Sequence, residues 1–120
     1  MFSRGVRGAI TLKENTKEEI KQATVELLSA ILNENDIQIQ DIAFAIFTLT
    51  NDLNADFPAK YARLNCGFNK VPMMCYNELN VDGSLKMCLR VLLNINTNKT
   101  QDEIKHIYLK DAAILREDLK

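Results

Sequence analysis

At 120 residues, 47% hydrophobic and 26% charged, the chain has room for one buried core, is too short for two domains and has the make-up of an ordinary soluble globular protein. A formal net charge of -1 excludes a strong general attraction to nucleic acid or anionic membrane, while leaving room for a local cationic pocket. No basic-then-apolar leader opens the chain and no apolar run approaches the ~18 residues of a membrane span, so the expected compartment is the cytoplasm, with neither nucleic acid nor membrane as partner.

Residues 2–12, FSRGVRGAITL, read as a first strand, with Gly5 and Gly8 beside Arg4 and Arg7. Glycine weakens a strand, so it marks a bulge or a close approach by another backbone or a ligand. The arginines are read either as part of such a site or as a solvated strand edge. Thr16 with Glu19 three residues on forms a capping box. From there Ile20, Ala23, Leu27, Leu28, Ile31 and Leu32 fall at helical spacing to about Asn33, a core-facing stripe of one amphipathic helix laid on a sheet.

Residues 42–49, IAFAIFTL, form a near-continuous apolar run of strand length, the pattern of a strand covered on both faces. One helix covers only one face; the other is expected to meet another subunit. A turn-rich loop, 51–56, leads to Phe57-Pro58-Ala59-Lys60-Tyr61-Ala62-Arg63, where Pro58 suits the first turn of a short helix and Gly67 its stop. Lys60 and Arg63 give this helix a cationic edge, which a plain solvated face would share.

The stretch from Val71 to Asn96 concentrates the chemistry. Val71 to Cys75 reads as a short strand, residues 80–84 as a turn, and Lys86 to Asn96 as a strand with Met87, Leu89, Val91, Leu93 and Ile95 on one face. Arg90 stands on the other face between Cys88 and Leu92, and a guanidinium there is costly to desolvate unless an anion meets it. Cys75, Glu78 and Arg90 are thus expected to converge at neighbouring strand ends. A structural ion pair between Glu78 and Arg90 is the competing reading.

A polar turn at 97–103 precedes a last short strand, His106 to Leu109, and an apolar segment, Ala112 to Leu115, ahead of Arg116 and a charged tail. Three cysteines cannot all pair, their spacing matches no CxxC motif, and with a single histidine a tetrahedral zinc site would have to recruit carboxylates from scattered places. Cys66 and Cys88 read as small buried hydrophobes, with Cys75 left open by its neighbours. Arginine is used sparingly, five against ten lysines, which suggests that the planar fork is wanted where it occurs. The element order gives an α+β (mixed α/β) fold, a mixed five-stranded sheet with one long amphipathic helix and a short helix, spanning 1–120 as one domain.

Arg4-Gly5-Val6-Arg7-Gly8-Ala9, Asp52-Leu53, Phe57-Pro58-Ala59-Lys60 with Arg63, Val71-Pro72, Cys75 with Glu78, Leu85-Lys86, Cys88 with Arg90-Val91, Gln101-Asp102, His106-Ile107-Tyr108-Leu109 and Leu115-Arg116 follow one another over nearly the whole chain. In this order the sequence resembles the monofunctional chorismate mutases of the Bacillus type. The resemblance implies a ferredoxin-like, chorismate-mutase-like subunit in a homotrimeric pseudo-barrel with active sites between subunits. It also implies rearrangement of chorismate to prephenate without cofactor or metal. By resemblance, Arg90 takes the ether oxygen and a carboxylate, Arg7 a carboxylate, and Tyr108 donates to a carboxylate. Glu78 accepts from the ring hydroxyl with Cys75 assisting. Phe57, Ala59 and Leu115 shape the walls, and Lys60, Arg63 and Arg116 supply field and closure at the mouth. Met73-Met74 departs from the family, which usually has smaller residues there, commonly ending in threonine; a bulkier wall follows. Two other classes of the same architecture are weighed beside it, a trimeric imine or enamine deaminase-like enzyme and a non-catalytic trimer binding a small carboxylate.

Overall fold

The computed structural model describes the backbone of residues 1–119 and the side chains of residues 1–115. Its five strands are β1 (Phe2–Thr11), β2 (Ile42–Leu49), β3 (Met73–Asn77), β4 (Cys88–Thr97) and β5 (Ile107–Leu109), arranged in the sheet order β3-β2-β4-β1-β5. Both long central pairs, β1 with β4 and β2 with β4, are antiparallel, while the outer strands β3 and β5 join in parallel. The mixed sheet expected from the sequence is therefore present, with two helices, α1 (Lys17–Asn35) and α2 (Pro58–Asn65), on one face.

Alternation decides what each face carries. Val6, Ile10, Ala45, Phe47, Leu89, Val91, Leu93 and Ile95 enter the core, where they meet Ile20, Leu27, Leu28 and Ile31 of α1 and Tyr61 and Ala62 of α2. Gly8 is where α1 comes closest. A Cβ at that position would lie 2.6 Å from Ile31 Cδ1 and 3.2 Å from Leu27 Cδ1, so the close approach expected of a strand glycine is made by the helix. The opposite face is only partly covered: Phe44, Leu92, Met74 and Tyr76 are exposed there. This is the unmatched second face that the apolar run of β2 foretold.

Local details differ from the sequence reading for identifiable reasons. Only half of the capping box forms: Thr16 Oγ1 accepts the Glu19 N–H at 3.1 Å, whereas the Glu19 carboxylate accepts from Lys13 N–H. The helix also runs past Asn33. Asn35 is buried and binds Ile31 and Lys105 carbonyls and the Lys105 N–H, tying the helix end to the loop before β5, and left-handed Asp36 then closes the helix. Strand β4 begins at Cys88, because Met87 is left-handed (φ 51°) and its N–H donates to the Asp52 carboxylate. The segment after β5 is a 3₁₀ helix, Lys110–Leu119. Among the described residues no helix is long and apolar enough to cross a membrane.

Candidate active site

The register of the sheet determines which side chains can meet. Tyr108 pairs with Ala9, Ala9 with Arg90, Arg90 with Thr48 and Thr48 with Tyr76, so these five residues form one row across all five strands. One step along the strands, Ile107, Gly8, Val91, Phe47 and Cys75 form the next row, directed into the core. One step further, Arg7, Leu92, Ile46 and Met74 return to the open face. Arg90 and Arg7 therefore share a face, and Cys75 lies on the other.

On the open face a cavity of about 240 Å³ is lined by Arg7, Gly8, Ala9, Ile46, Thr48, Glu78, Arg90, Val91, Leu92, Tyr108 and Leu115. Its walls are largely apolar, with two guanidiniums, one carboxylate and two hydroxyls. Glu78 follows β3, its N–H donating to Leu49 C=O at 2.9 Å, and the Thr48 hydroxyl donates to its Oε2. That oxygen stands 3.7 Å from Arg90 Nε, beyond hydrogen-bond range. Arg90 Nε is buried and finds no hydrogen-bond partner among the described residues. A buried guanidinium N–H without an acceptor is costly, and the cost disappears when an anionic ligand oxygen reaches it. The Glu78–Arg90 ion pair, at 3.7 Å, leaves that nitrogen without an acceptor.

Five of the residues singled out in the sequence, Arg7, Glu78, Arg90, Tyr108 and Leu115, thus come together in one chain. The others lie apart. Cys75 and Phe57 border a separate cleft between β3 and the start of α2. The expected convergence of Cys75 with Glu78 and Arg90 does not occur within one chain, because Cys75 belongs to the core-facing row. Burial pushes its thiol up, with the Ala59 backbone N–H opposing, so it stands as a neutral thiol. Ala59 and Met73 are half-buried against the core, and Met74 and Phe57 are exposed. Arg63 is exposed on α2. Lys60 is drawn to Asp56 at 3.1 Å, and Asp56 also accepts from Tyr61 Oη at 2.7 Å and from Phe57 N–H; these bonds hold its carboxyl at about 2. The side chain of Arg116 lies outside the described residues.

Thr48, Ile46, Ala9 and Leu92 line the cavity without having been singled out. Thr48 carried a signal, a hydroxyl inside the apolar run of β2, but its meaning depends on the β2–β4 register, which brings it opposite Arg90.

Comparison with known proteins supplies the reaction class. The family described as chorismate mutase type I matches residues 3–119. A chorismate mutase of Bacillus subtilis (strain 168) is 43% identical over 119 residues, 99% of this chain and 94% of the relative. One from Thermus thermophilus is 48% identical over 118 residues, 98% of this chain and 96% of the relative. A solved chorismate mutase from Clostridium thermocellum, 44% identical, superposes with a TM-score of 0.89 over 92% of this chain and 97% of its own.

Proposed function

The chain belongs to the chorismate mutase type I family, and we propose that Arg90, Arg7 and Glu78 carry its reaction in a cleft that a second copy of the chain completes. The reaction is the rearrangement of chorismate to prephenate in aromatic amino acid biosynthesis, an intramolecular isomerisation in which a C–O bond breaks as a C–C bond forms. No group is transferred to or from the enzyme. The protein's task is to hold a dicarboxylate in the compact conformer that brings the reacting carbons together, and to stabilise negative charge growing on the ether oxygen.

The observation that carries this reading is the buried Nε of Arg90, which has no hydrogen-bond partner among the described residues and whose side chain lines a largely apolar cavity. Its guanidinium meets the ether oxygen and one carboxylate, and Arg7, on the same face, takes a carboxylate as a fork. Tyr108 donates to a carboxylate. Glu78, oriented by Thr48, accepts from the ring hydroxyl. Two cations against one carboxylate leave the cavity positive, as a dianion requires.

The remaining residues, Phe57, Ala59, Lys60, Arg63, Met73, Met74 and Cys75, reach the site from a neighbouring subunit of a homotrimer, with Leu115 and Arg116 closing the mouth of the cleft. Two facts support this: they do not border the Arg90 cavity within one chain, and the open face of the sheet bears exposed Phe44, Leu92, Met74 and Tyr76. Three unpaired cysteines, Cys66, Cys75 and Cys88, support a reducing compartment, the cytoplasm.

Mixed assembly tests the shared site. Arg90→Ala removes the fork and Ala59→Trp blocks the facing wall, so each homotrimer should be inactive. Unfolding and refolding the two together in equal amounts should make about a quarter of the clefts intact, one half times one half. A verified mixed trimer that stays inactive would refute the division of residues between chains.

A further inference from the structure

Strand β1 is unevenly supported. Along one edge β4 pairs with it from Phe2 to Thr11, but along the other edge β5 reaches only Gly8 to Ile10. Before Gly8, two side chains take the place of the missing strand. The Gln101 amide accepts the Gly5 N–H at 3.1 Å and donates to the Gly5 C=O at 2.7 Å. His106 Nδ1 accepts the Arg7 N–H at 2.9 Å. Both come from the loop that Asn35 and Lys99 fasten to the end of α1. The backbone of Arg7 is thus pinned between Leu92 on β4 and an imidazole.

An imidazole nitrogen accepts a hydrogen bond only when it carries no proton. The contact therefore fixes His106 as neutral with its proton on Nε2. Protonation at Nδ1 would set two N–H groups against each other across 2.9 Å, and one of the two residues would have to move. Among the described residues, Arg7 on β1 acts on the ring by its charge, and Glu34 on α1, Lys105 in the same loop and Tyr108 on β5 are the titratable groups that line a cavity with it. Burial first, and the Arg7 charge second, lower its proton affinity below the ordinary value of 6.5, so the neutral form persists through neutrality and is lost as pH falls through that lowered value.

We propose that His106 is a positioning residue for Arg7, whose neutral imidazole holds the Arg7 backbone in register so that substrate capture weakens reversibly in mild acid. The inference rests on the assignment of Arg7 to a substrate carboxylate. His106 itself stays outside the reaction and acts through the strand.

In the unmodified enzyme without substrate, the Arg7 amide resonance and the His106 ring resonances are followed from about pH 8 to about pH 5. They should titrate with one midpoint, below 6.5, with faster amide exchange on the acid side. An Arg7 amide that ignores the imidazole titration overturns the coupling. His106→Asn keeps an uncharged acceptor near the Nδ1 position and should preserve KM at neutral pH while abolishing its rise in acid. His106→Leu leaves the Arg7 N–H without an acceptor and should raise KM about tenfold at every pH, with kcat changed less. A His106→Asn enzyme with the parent acid limb, or a His106→Leu enzyme with parent KM, also overturns it. Arg7→Ala with unaltered KM would refute the Arg7 assignment itself, and the amide titration tells that failure from failure of the coupling.

Discussion

Arg90→Lys separates charge from geometry at the centre of the site. In the parent protein Arg90 Nε lies 3.7 Å from the Glu78 carboxylate, with side-chain exposures of 38% and 27%, so solvent screens the pair to about 1 kcal/mol or less. Lysine retains that small attraction, and the fold should keep its stability within about the same amount. Lysine cannot retain the planar fork. One rotating ammonium replaces the Nε and the terminal nitrogens, and the Nε is the buried donor that has no partner among the described residues. Loss of one donor aimed at developing negative charge costs about 2.7–4 kcal/mol of transition-state stabilisation, about a hundredfold to a thousandfold in kcat. The catalytic effect thus exceeds the stability effect severalfold, and the two are measured independently. Turnover is followed by the disappearance of chorismate at saturating substrate, and stability by thermal melting of the same preparation. A lysine enzyme within tenfold of the parent kcat, with an unchanged melting temperature, would refute the role given to the fork.

The half-buried Cys75 thiol is raised above its ordinary 9.0 and the His106 imidazole lowered below its ordinary 6.5, so neither changes charge from about pH 7 to about pH 8.5 and kcat should be flat there. A bell-shaped profile centred near neutrality, removed by His106→Ala, would show proton-transfer chemistry and contradict a rearrangement. Gly8→Ala should destabilise by about 1–3 kcal/mol in urea unfolding, because its Cβ would press on Ile31, Leu27 and Val91 at 2.6, 3.2 and 3.3 Å. A change below about 0.5 kcal/mol would mean that α1 yields easily and that the glycine is not demanded by helix packing.

How far the sequence could be read depended on whether a feature was periodic or relational. The core face of β4 follows from alternation alone, and Leu89, Val91, Leu93 and Ile95 are all buried there. The stripe of α1 is likewise a matter of spacing. The true end of that helix was not visible, because Asn35 is held by Lys105, a partner far along the chain. The start of β4 was set two residues early for a similar reason: Met87 continues the alternation but is turned by Asp52 from another loop. In the site, Arg90 announced itself as a charge in an apolar strand. Thr48 did not, since a hydroxyl in an apolar run acquires meaning only opposite Arg90. Cys75 misled for the same reason in reverse. Nearness along the chain put it with Glu78, whereas the β2–β3 register puts it in the core-facing row with Phe47.

The same register also links assembly to catalysis. The row that carries Arg7 continues through Leu92 and Ile46 to Met74, and the row that carries Arg90 ends at Tyr76, so the cationic cavity and the exposed apolar surface belong to one sheet face. In a lone chain that face is wet, and water weakens each contact a guanidinium makes with a growing negative charge. Covering it with a neighbouring subunit would remove Leu92, Met74 and Tyr76 from water, a gain of about 25 cal/mol for each Å² of apolar surface. It would also lower the effective dielectric around Arg90 and Arg7 and bring up the walls that one chain does not provide. Desolvating two cations is unfavourable by itself. The apolar rows beside them would offset that cost through association, and the substrate dianion would supply the counter-charges when it binds. On this reasoning the apolar run of β2 and the lone arginine of β4, which look unrelated in the sequence, would together solve one problem in an assembled protein: how to keep a positive site dry without destabilising the subunit that carries it.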